Sequence, residues 1–390
     1  MPERSTIYEV ARRSGVSTAT VSRVMREGRG FSEPTRKRVL DVAGELGWVP
    51  NGSARGLAER RVGIVGLLFP DLGKDADAES ESPLFVDQVI RGAERAATLA
   101  GDAVLIASTH SFEGPQLARA IASKVDGLVV AARSLSDRDL VALSRTVPVV
   151  VIASLSSRRK FDVVCADNRG GTKQLVEHLL TVHGYRDIAF VGGPAQSPDS
   201  VERFAGFCDA LRGAGLDVPS VPDAHGGFTE AGGERALHEI LERRTRAPRA
   251  VVFGNDEMAI GGLAVLREHK LRVPADVAVS GFDDIASSRH VRPPLTTVRQ
   301  PMRQIGEEAV RTLLDRLRDP DESRRALTLP TELVIRRSCG CRGSGSGTTT
   351  RSTRTTATST KTTKSRDRKS NDTRPRTAKS QATKPRTGRA

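Results

Sequence analysis

From residue 62 onward, short apolar runs alternate with longer stretches whose apolar residues recur at helical spacing. The runs are residues 62–69, 103–107, 127–131, 147–152, 188–191, 250–253 and 277–280. Most are continuously apolar, as strands buried on both faces should be. Residues 85–100 and 203–214 carry helical patterns between them. Such alternation predicts parallel sheets covered by helices on both faces. About 280 residues of it suit two lobes better than one.

The first 50 residues have a different texture, helical throughout. Thr6 and Glu9 have the spacing of a capping box. The helix they open runs to about Arg13, with Ile7, Val10 and Ala11 on its apolar face. Ser14-Gly15-Val16 predicts a tight turn in which Gly15 takes the left-handed backbone. Ser17 is placed to cap a second helix, and Val16, Val21 and Val24 to close a small core. That second helix begins with Thr18 and Ala19, small residues where a recognition helix meets base edges. Thr20, Ser22 and Arg23 suit phosphates or a guanine edge. Cap, glycine turn, second cap and basic helix together favour a DNA-reading helix-turn-helix over an ordinary surface hairpin.

A third helix is expected from Ser32, with Pro34 in its first turn. Val39, Leu40, Val42, Ala43 and Leu46 would form its buried stripe, and Gly47 would end it. Asn51 can cap a further short helix over residues 51–58. Gly52 and Gly56 each weaken it by roughly 1 kcal/mol relative to Ala. A helix so short should form only when a partner supplies the energy.

These residues resemble the headpiece and hinge of the lactose/galactose repressor (LacI/GalR) family of bacterial transcription regulators. The resemblance extends over about residues 6–340 through Gly-Asn-Asp-Glu-Met-Ala-Ile-Gly-Gly (254–262), Gly-Phe-Asp-Asp (281–284) and Pro-Pro-Leu-Thr-Thr-Val-Arg-Gln (293–300). It implies lobes similar to periplasmic sugar-binding proteins. It also implies a homodimer on a pseudo-palindromic double-stranded operator, a repressor before an activator. Two hinge helices would meet in the minor groove, with Leu57 of each subunit wedged into a central step, expected to be CG. Ala54 and Arg55 match residues that face the groove and the phosphates. The expected architecture is an all-α helix-turn-helix headpiece (1–50), a hinge helix and linker (51–61), a two-lobed α/β effector and dimerisation domain (62–341) and a disordered basic tail (342–390).

Ligands of open parallel sheets sit beyond the carboxyl ends of the strands. Asn255 and Asp256 follow one predicted strand and Asp283 and Asp284 another; Arg203 is expected at the start of a helix after a third. Carboxylates, an amide and a guanidinium converging on one cleft suit a polar, sugar-like small molecule. Single Asp or Asn residues here also serve as helix caps, and their recurrence favours the ligand. The resemblance matches Arg203, Asn255 and Asp283 to positions that hold effector hydroxyls. Gln300 follows a crossover between lobes, and Phe85, Phe282 and His110 suit stacking or rim contacts. Arg203 and Asp283 are the first candidates, since Asn255 and Asp256 can be structural. Two departures blur the effector's identity. Ala153 stands where some sugar-responsive relatives carry an aspartate, and residues 74–82 read as an acidic insertion.

The net charge of +14 is uneven. Residues 1–61 carry about +5, residues 62–341 about −3 and residues 342–390 about +12. The tail, nearly free of apolar residues, cannot offset its ordering entropy. It reads equally as an auxiliary DNA-binding arm or as a solubilising tail. No apolar run spans a bilayer and no signal-like start is seen, so a cytoplasmic, nucleoid-associated protein without membrane contact is expected.

Four cysteines do not make a disulfide framework, and Cys165 reads as core. Cys339 and Cys341 alone make a poor metal site. His178 and His183, five apart, read as a helix end rather than as ligands. No metal, cofactor or catalytic motif is called for. Two other classes compete: a nucleoid-type architectural protein without an effector, and a sugar-transport binding protein.

Overall fold

The protein is described by a computed structural model over residues 6–27, 31–48, 61–70, 82–109, 114–152 and 160–342. Among its described residues the N-terminal part has three helices, α1 (Ile7–Ser14), α2 (Thr18–Glu27) and α3 (Glu33–Glu45). Val10, Ala11, Val21, Val24, Val39 and Ala43 form its core, with Val16 and Trp48 packed against it. Gly15 does take the left-handed backbone, at φ +66°. Ser17 caps α2, its Oγ accepting from Thr20 N–H at 3.1 Å.

Two expected caps differ. Thr6 and Ser32 stand at the N-cap positions, but neither side chain accepts a cap hydrogen bond. The capping box is therefore not formed, and Ser32 Oγ instead meets Thr35 Oγ1 at 2.8 Å. Leu40 is 40% exposed rather than buried. It lies roughly 100° round the helix from Val39, off the face that Val39 and Ala43 present to the core.

The body contains two parallel sheets. The first lobe supplies β1 (Ile64–Pro70), α4 (Pro83–Ala100), β2 (Ala103–Thr109), α5 (Gly114–Ala122), β3 (Gly127–Ala131), α6 (Asp137–Leu143), β4 (Val149–Ile152) and β5 (Asp162–Ala166). The second supplies α7 (Asn168–Val182), β6 (Ile188–Gly192), α8 (Pro198–Gly213), β7 (Ala224–His225), α9 (Glu230–Arg243), β8 (Ala250–Phe253), α10 (Asp256–Glu268) and β9 (Ala278–Ser280). The chain continues through β10 (Thr297–Arg299), α11 (Met302–Arg318), β11 (Ala326–Leu329) and β12 (Glu332–Val334).

The first sheet has order β11-β5-β4-β3-β1-β2 and the second β7-β6-β8-β9. Every pairing within them is parallel. Because α11 packs on α4 and β11 on β5 while β12 pairs antiparallel with β10, the chain passes between lobes three times. Glycines set how closely α4 and α11 approach. A Cβ on Gly92 would lie 1.9 Å from the Arg303 carbonyl oxygen, and one on Gly306 2.0 Å from that of Val89. The seven apolar runs all became strands. The seven runs leave out β5, which is buried throughout but opens on Asp162 and shows in the sequence only through Cys165 as core, and β7, β10, β11 and β12, which are short or carry exposed residues. No described helix is long and apolar enough to cross a membrane.

Candidate functional site: an interlobe pocket and a DNA-reading helix

Ser82 and Phe85 from the first lobe, Asp199, Arg203, Phe228, Asn255 and Asp283 from the second, and Gln300 from a crossover line one pocket. All five effector candidates, Phe85, Arg203, Asn255, Asp283 and Gln300, are thus brought together.

Arg203 does not start a helix, as its sequence context suggested. Its helix α8 begins at Pro198, and Arg203 sits in the second turn. The side chain points inward and is fully organised. Nε donates to Asn168 Oδ1 at 2.8 Å and Nη1 to the Gly254 carbonyl at 2.6 Å. Nη2 lies 3.5 Å from Asp283 Oδ1. The guanidinium stands 3.8 Å from the centroid of the Phe282 ring, a stacked arrangement that suits Arg. Phe282 is therefore buried beneath Arg203 rather than on the rim.

Asp283 also accepts from Gln300 Nε2 at 2.6 Å. Its backbone, at φ +116°, lies where L side chains are strained, and Asp284 follows at φ +56°. Such strain is typical of functional sites. Burial pushes the Asp283 carboxyl well above its ordinary range, against the pull of Arg203. Asp199 extends the network, accepting from Asn168 Nδ2 at 2.7 Å. Burial raises its carboxyl to about 6, although the residue keeps a partly accessible edge.

The remaining strand-end residues also hold the fold together, Asn255 while lining the pocket. Asn255 caps α10, its Oδ1 accepting from Met258 N–H at 3.0 Å, while its Nδ2 donates to the Phe228 carbonyl at 3.0 Å. Asp256 accepts from Ile285 N–H at 3.0 Å and from the hydroxyls of Ser288 and Thr297, both at 2.5 Å. Burial lifts its carboxyl to about 7. Asp284 pairs with Arg299 at 2.7 Å and with Arg336. Sequence reasoning missed Asp199, Asn168 and Phe228. The first two sit at helix starts and look like ordinary caps. Nothing in the local sequence of Phe228 announces its place beside Arg203, 5.5 Å from guanidinium to ring centroid.

In the N-terminal unit, α2 presents Ala19, Ser22 and Arg23 to solvent, with Thr18 and Thr20 half-exposed. The Arg23 guanidinium lies 5.2 Å from the Phe31 ring centroid. Thr6 is exposed at the start of α1. Tyr8, which the pattern did not single out, is 75% exposed despite its size. Asn51, Ala54, Arg55 and Leu57 of the hinge, His110, Ala153 and residues 74–81 lie outside the described residues.

A helix-turn-helix joined to a two-lobed body with a polar pocket between its lobes defines a ligand-responsive DNA-binding protein. Comparison with known proteins agrees. Residues 6–51 match the model for bacterial regulatory proteins of the lacI family, and residues 176–339 that for a periplasmic binding protein-like domain. Catabolite control protein A of Priestia megaterium is 32% identical over 338 residues, covering 85% of this chain and 98% of that protein. The HTH-type transcriptional repressor PurR of Erwinia tasmaniensis is 34% identical over 339 residues, covering 86% and 96%. Among solved structures, the complex of the transcriptional regulator CelR with cellobiose matches with TM-score 0.65 and 32% identity, covering 86% of this chain and 100% of that one. The lac repressor dimer bound to operator and the anti-inducer ONPF matches with TM-score 0.72 and 28% identity, covering 86% and 99%.

The chain belongs to the LacI family of bacterial regulatory proteins. It is a sequence-specific DNA-binding transcriptional regulator with a periplasmic-binding-protein-like effector domain, and its role is regulatory rather than catalytic.

Proposed function

We propose that this regulator is a cytoplasmic homodimeric repressor whose operator affinity is set by a sugar-like effector held between the lobes. The observation that carries the proposal is the buried Arg203–Asp283–Gln300 cluster inside a pocket lined by both lobes. Paired acceptors and donors of this kind suit adjacent hydroxyls. The solved relatives with cellobiose and with ribose bound support a sugar, and the operator-bound lac repressor dimer supports a twofold assembly.

In this reading, residues 1–50 form the headpiece, 51–61 the hinge, 62–341 the effector domain and 342–390 the tail. Ser17, Thr18, Ala19, Thr20, Ser22 and Arg23 of each subunit face a half-site, with Thr6 near the phosphates. Asn51 starts the hinge helix, Ala54 and Arg55 follow the minor groove, and the Leu57 pair opens the central step. A ligand that prefers one arrangement of the lobes changes the cost of folding the hinge. A coupling of roughly 1–3 kcal/mol changes operator affinity by about 5–150-fold.

Selection from random duplexes tests this, followed by titration with a panel of mono- and disaccharides. A pseudo-palindromic site whose affinity shifts with one sugar is the expected outcome. Binding spread evenly over random DNA would instead mark an architectural protein. Leu57→Ala should weaken specific binding much more than non-specific binding, and equal losses would contradict the wedge.

A further inference from the structure

Two pairs of residues, far apart from each other in the sequence, meet at the end of α7 remote from the pocket. His178 lies on the last turns of α7, and His183 is the residue that ends it. Cys339 and Cys341 follow β12 near the end of the body. One ligand atom from each lies within 4.8 Å of all the others. His178 Nε2 stands 3.6 Å from both Cys339 Sγ and Cys341 Sγ, and His183 Nε2 stands 3.4 Å from Cys341 Sγ. The helix stops at Val182, so His183 turns back toward His178; their rings meet edge to face, 5.1 Å between centroids. Spacing on an ideal helix had argued against a pair.

The surroundings fix this arrangement. Gly340, between the cysteines, has φ +112°, and a Cβ there would lie 2.9 Å from Tyr185 Oη and 3.2 Å from the His183 ring. Tyr185 Oη donates to the Cys339 carbonyl at 3.0 Å, and its ring stacks on His183 at 5.2 Å. Arg249 covers Tyr185 in turn, its guanidinium 4.6 Å from the ring centroid. Cys339 is fully buried. The four ligand groups are thus held by packing and hydrogen bonds around them.

We propose that His178, His183, Cys339 and Cys341 form a structural Zn²⁺ site that anchors the C-terminal segment of the body to α7. Two sulfurs and two imidazole nitrogens are a closed tetrahedral set for zinc. With Zn–S near about 2.3 Å and Zn–N near about 2.0 Å, sulfur and nitrogen ligands stand about 3.5 Å apart. Three of the four sulfur–nitrogen pairs, at 3.4–3.6 Å, match that separation, and the whole set lies within 4.8 Å. On binding, Zn²⁺ displaces the two thiol protons to solvent, and two thiolates with two neutral imidazoles leave a centre without net charge. No open position remains for substrate, so the site is structural rather than catalytic.

The test uses the untagged full-length chain, purified with a thiol reductant, loaded with excess Zn²⁺ and desalted. Elemental analysis should find about one Zn²⁺ per chain, and Cys341→Ser and His183→Gln should each lower it at least about tenfold. Cys208→Ala, a thiol elsewhere in the second lobe, should keep it. Co²⁺ loading of the wild-type chain needs no variant and should give intense tetrahedral d–d bands with thiolate charge transfer. Absence of bound Zn²⁺, its full retention in Cys341→Ser, a weak octahedral Co²⁺ spectrum, or a Cys339–Cys341 disulfide in the reduced preparation would each overturn the proposal.

Discussion

The Arg203 guanidinium lies 3.5 Å from Asp283 Oδ1, with both side chains at most 4% exposed. Arg203 comes from α8 and Asp283 from the strained segment after β9. Gln300, on the crossover to the first lobe, holds the same carboxylate oxygen at 2.6 Å. A ligand that displaces either partner acts directly on a connection between lobes. Under the proposed function, this connection is where effector binding begins to act on the headpiece.

Asp283→Asn should abolish or sharply reduce the effector response while operator affinity stays within about twofold, because the mutated group touches pocket and crossover but no DNA-facing residue. The amide keeps the shape and avoids leaving Arg203 facing a cavity, whereas removing one partner of a buried pair outright costs about 3–5 kcal/mol. Titrations of operator binding with and without effector decide the matter. An undiminished response would move the site elsewhere.

Asp256 carries a pH prediction. Burial holds its carboxyl at about 7 despite three hydrogen bonds that favour the charged form. The native state therefore keeps a proton that an unfolded carboxyl, near about 3.9, has released. The stabilisation is complete below about pH 4 and is lost as pH rises through about 7. The stability advantage of wild type over Asp256→Asn should thus shrink across that window, by a few kcal/mol at most, and be constant above it. Urea unfolding of both proteins over a pH series checks this. An advantage that grows with pH would mean the three donors keep Asp256 ionised.

Gly306→Ala should destabilise the first lobe by about 1–3 kcal/mol, because the new methyl meets backbone that cannot yield without parting α4 from α11. Gly213→Ala, on α8 where nothing lies within 4 Å, should be neutral or stabilising by up to about 1 kcal/mol. Thermal unfolding of the pair measures the contrast. Equal effects would show that the close approach of the two helices is not what Gly306 supplies.

Much of this was legible in the chain. The seven apolar runs marked seven strands because strands buried on both faces leave continuous apolar text. Arg203 and Asp283 were legible as polar residues beyond strand ends, and Gln300 as following a crossover between lobes, helped by family likeness. Asp199, Asn168 and Phe228 were not, since their roles depend on which elements the fold brings side by side. The four-residue His/Cys cluster was hidden for the same reason: its halves are more than 150 residues apart. The failed capping box at Thr6 shows the converse, where local spacing was right and geometry chose otherwise.

Deleting residues 342–390 should lower non-specific DNA affinity and flatten the dependence of log affinity on log salt, by nearly one power for each phosphate that the tail neutralises. Binding isotherms across a salt series are the measurement. An unchanged slope would leave the +12 tail as a solubilising segment only.

Amide hydrogen exchange over residues 51–58 tests the account most directly, in the free protein, on the selected operator, and on the operator with effector. Fast exchange in the free chain, strong protection on the operator, and a change in that protection with effector are expected. Equal protection with and without the cognate duplex would contradict a connector that gains its order at the DNA.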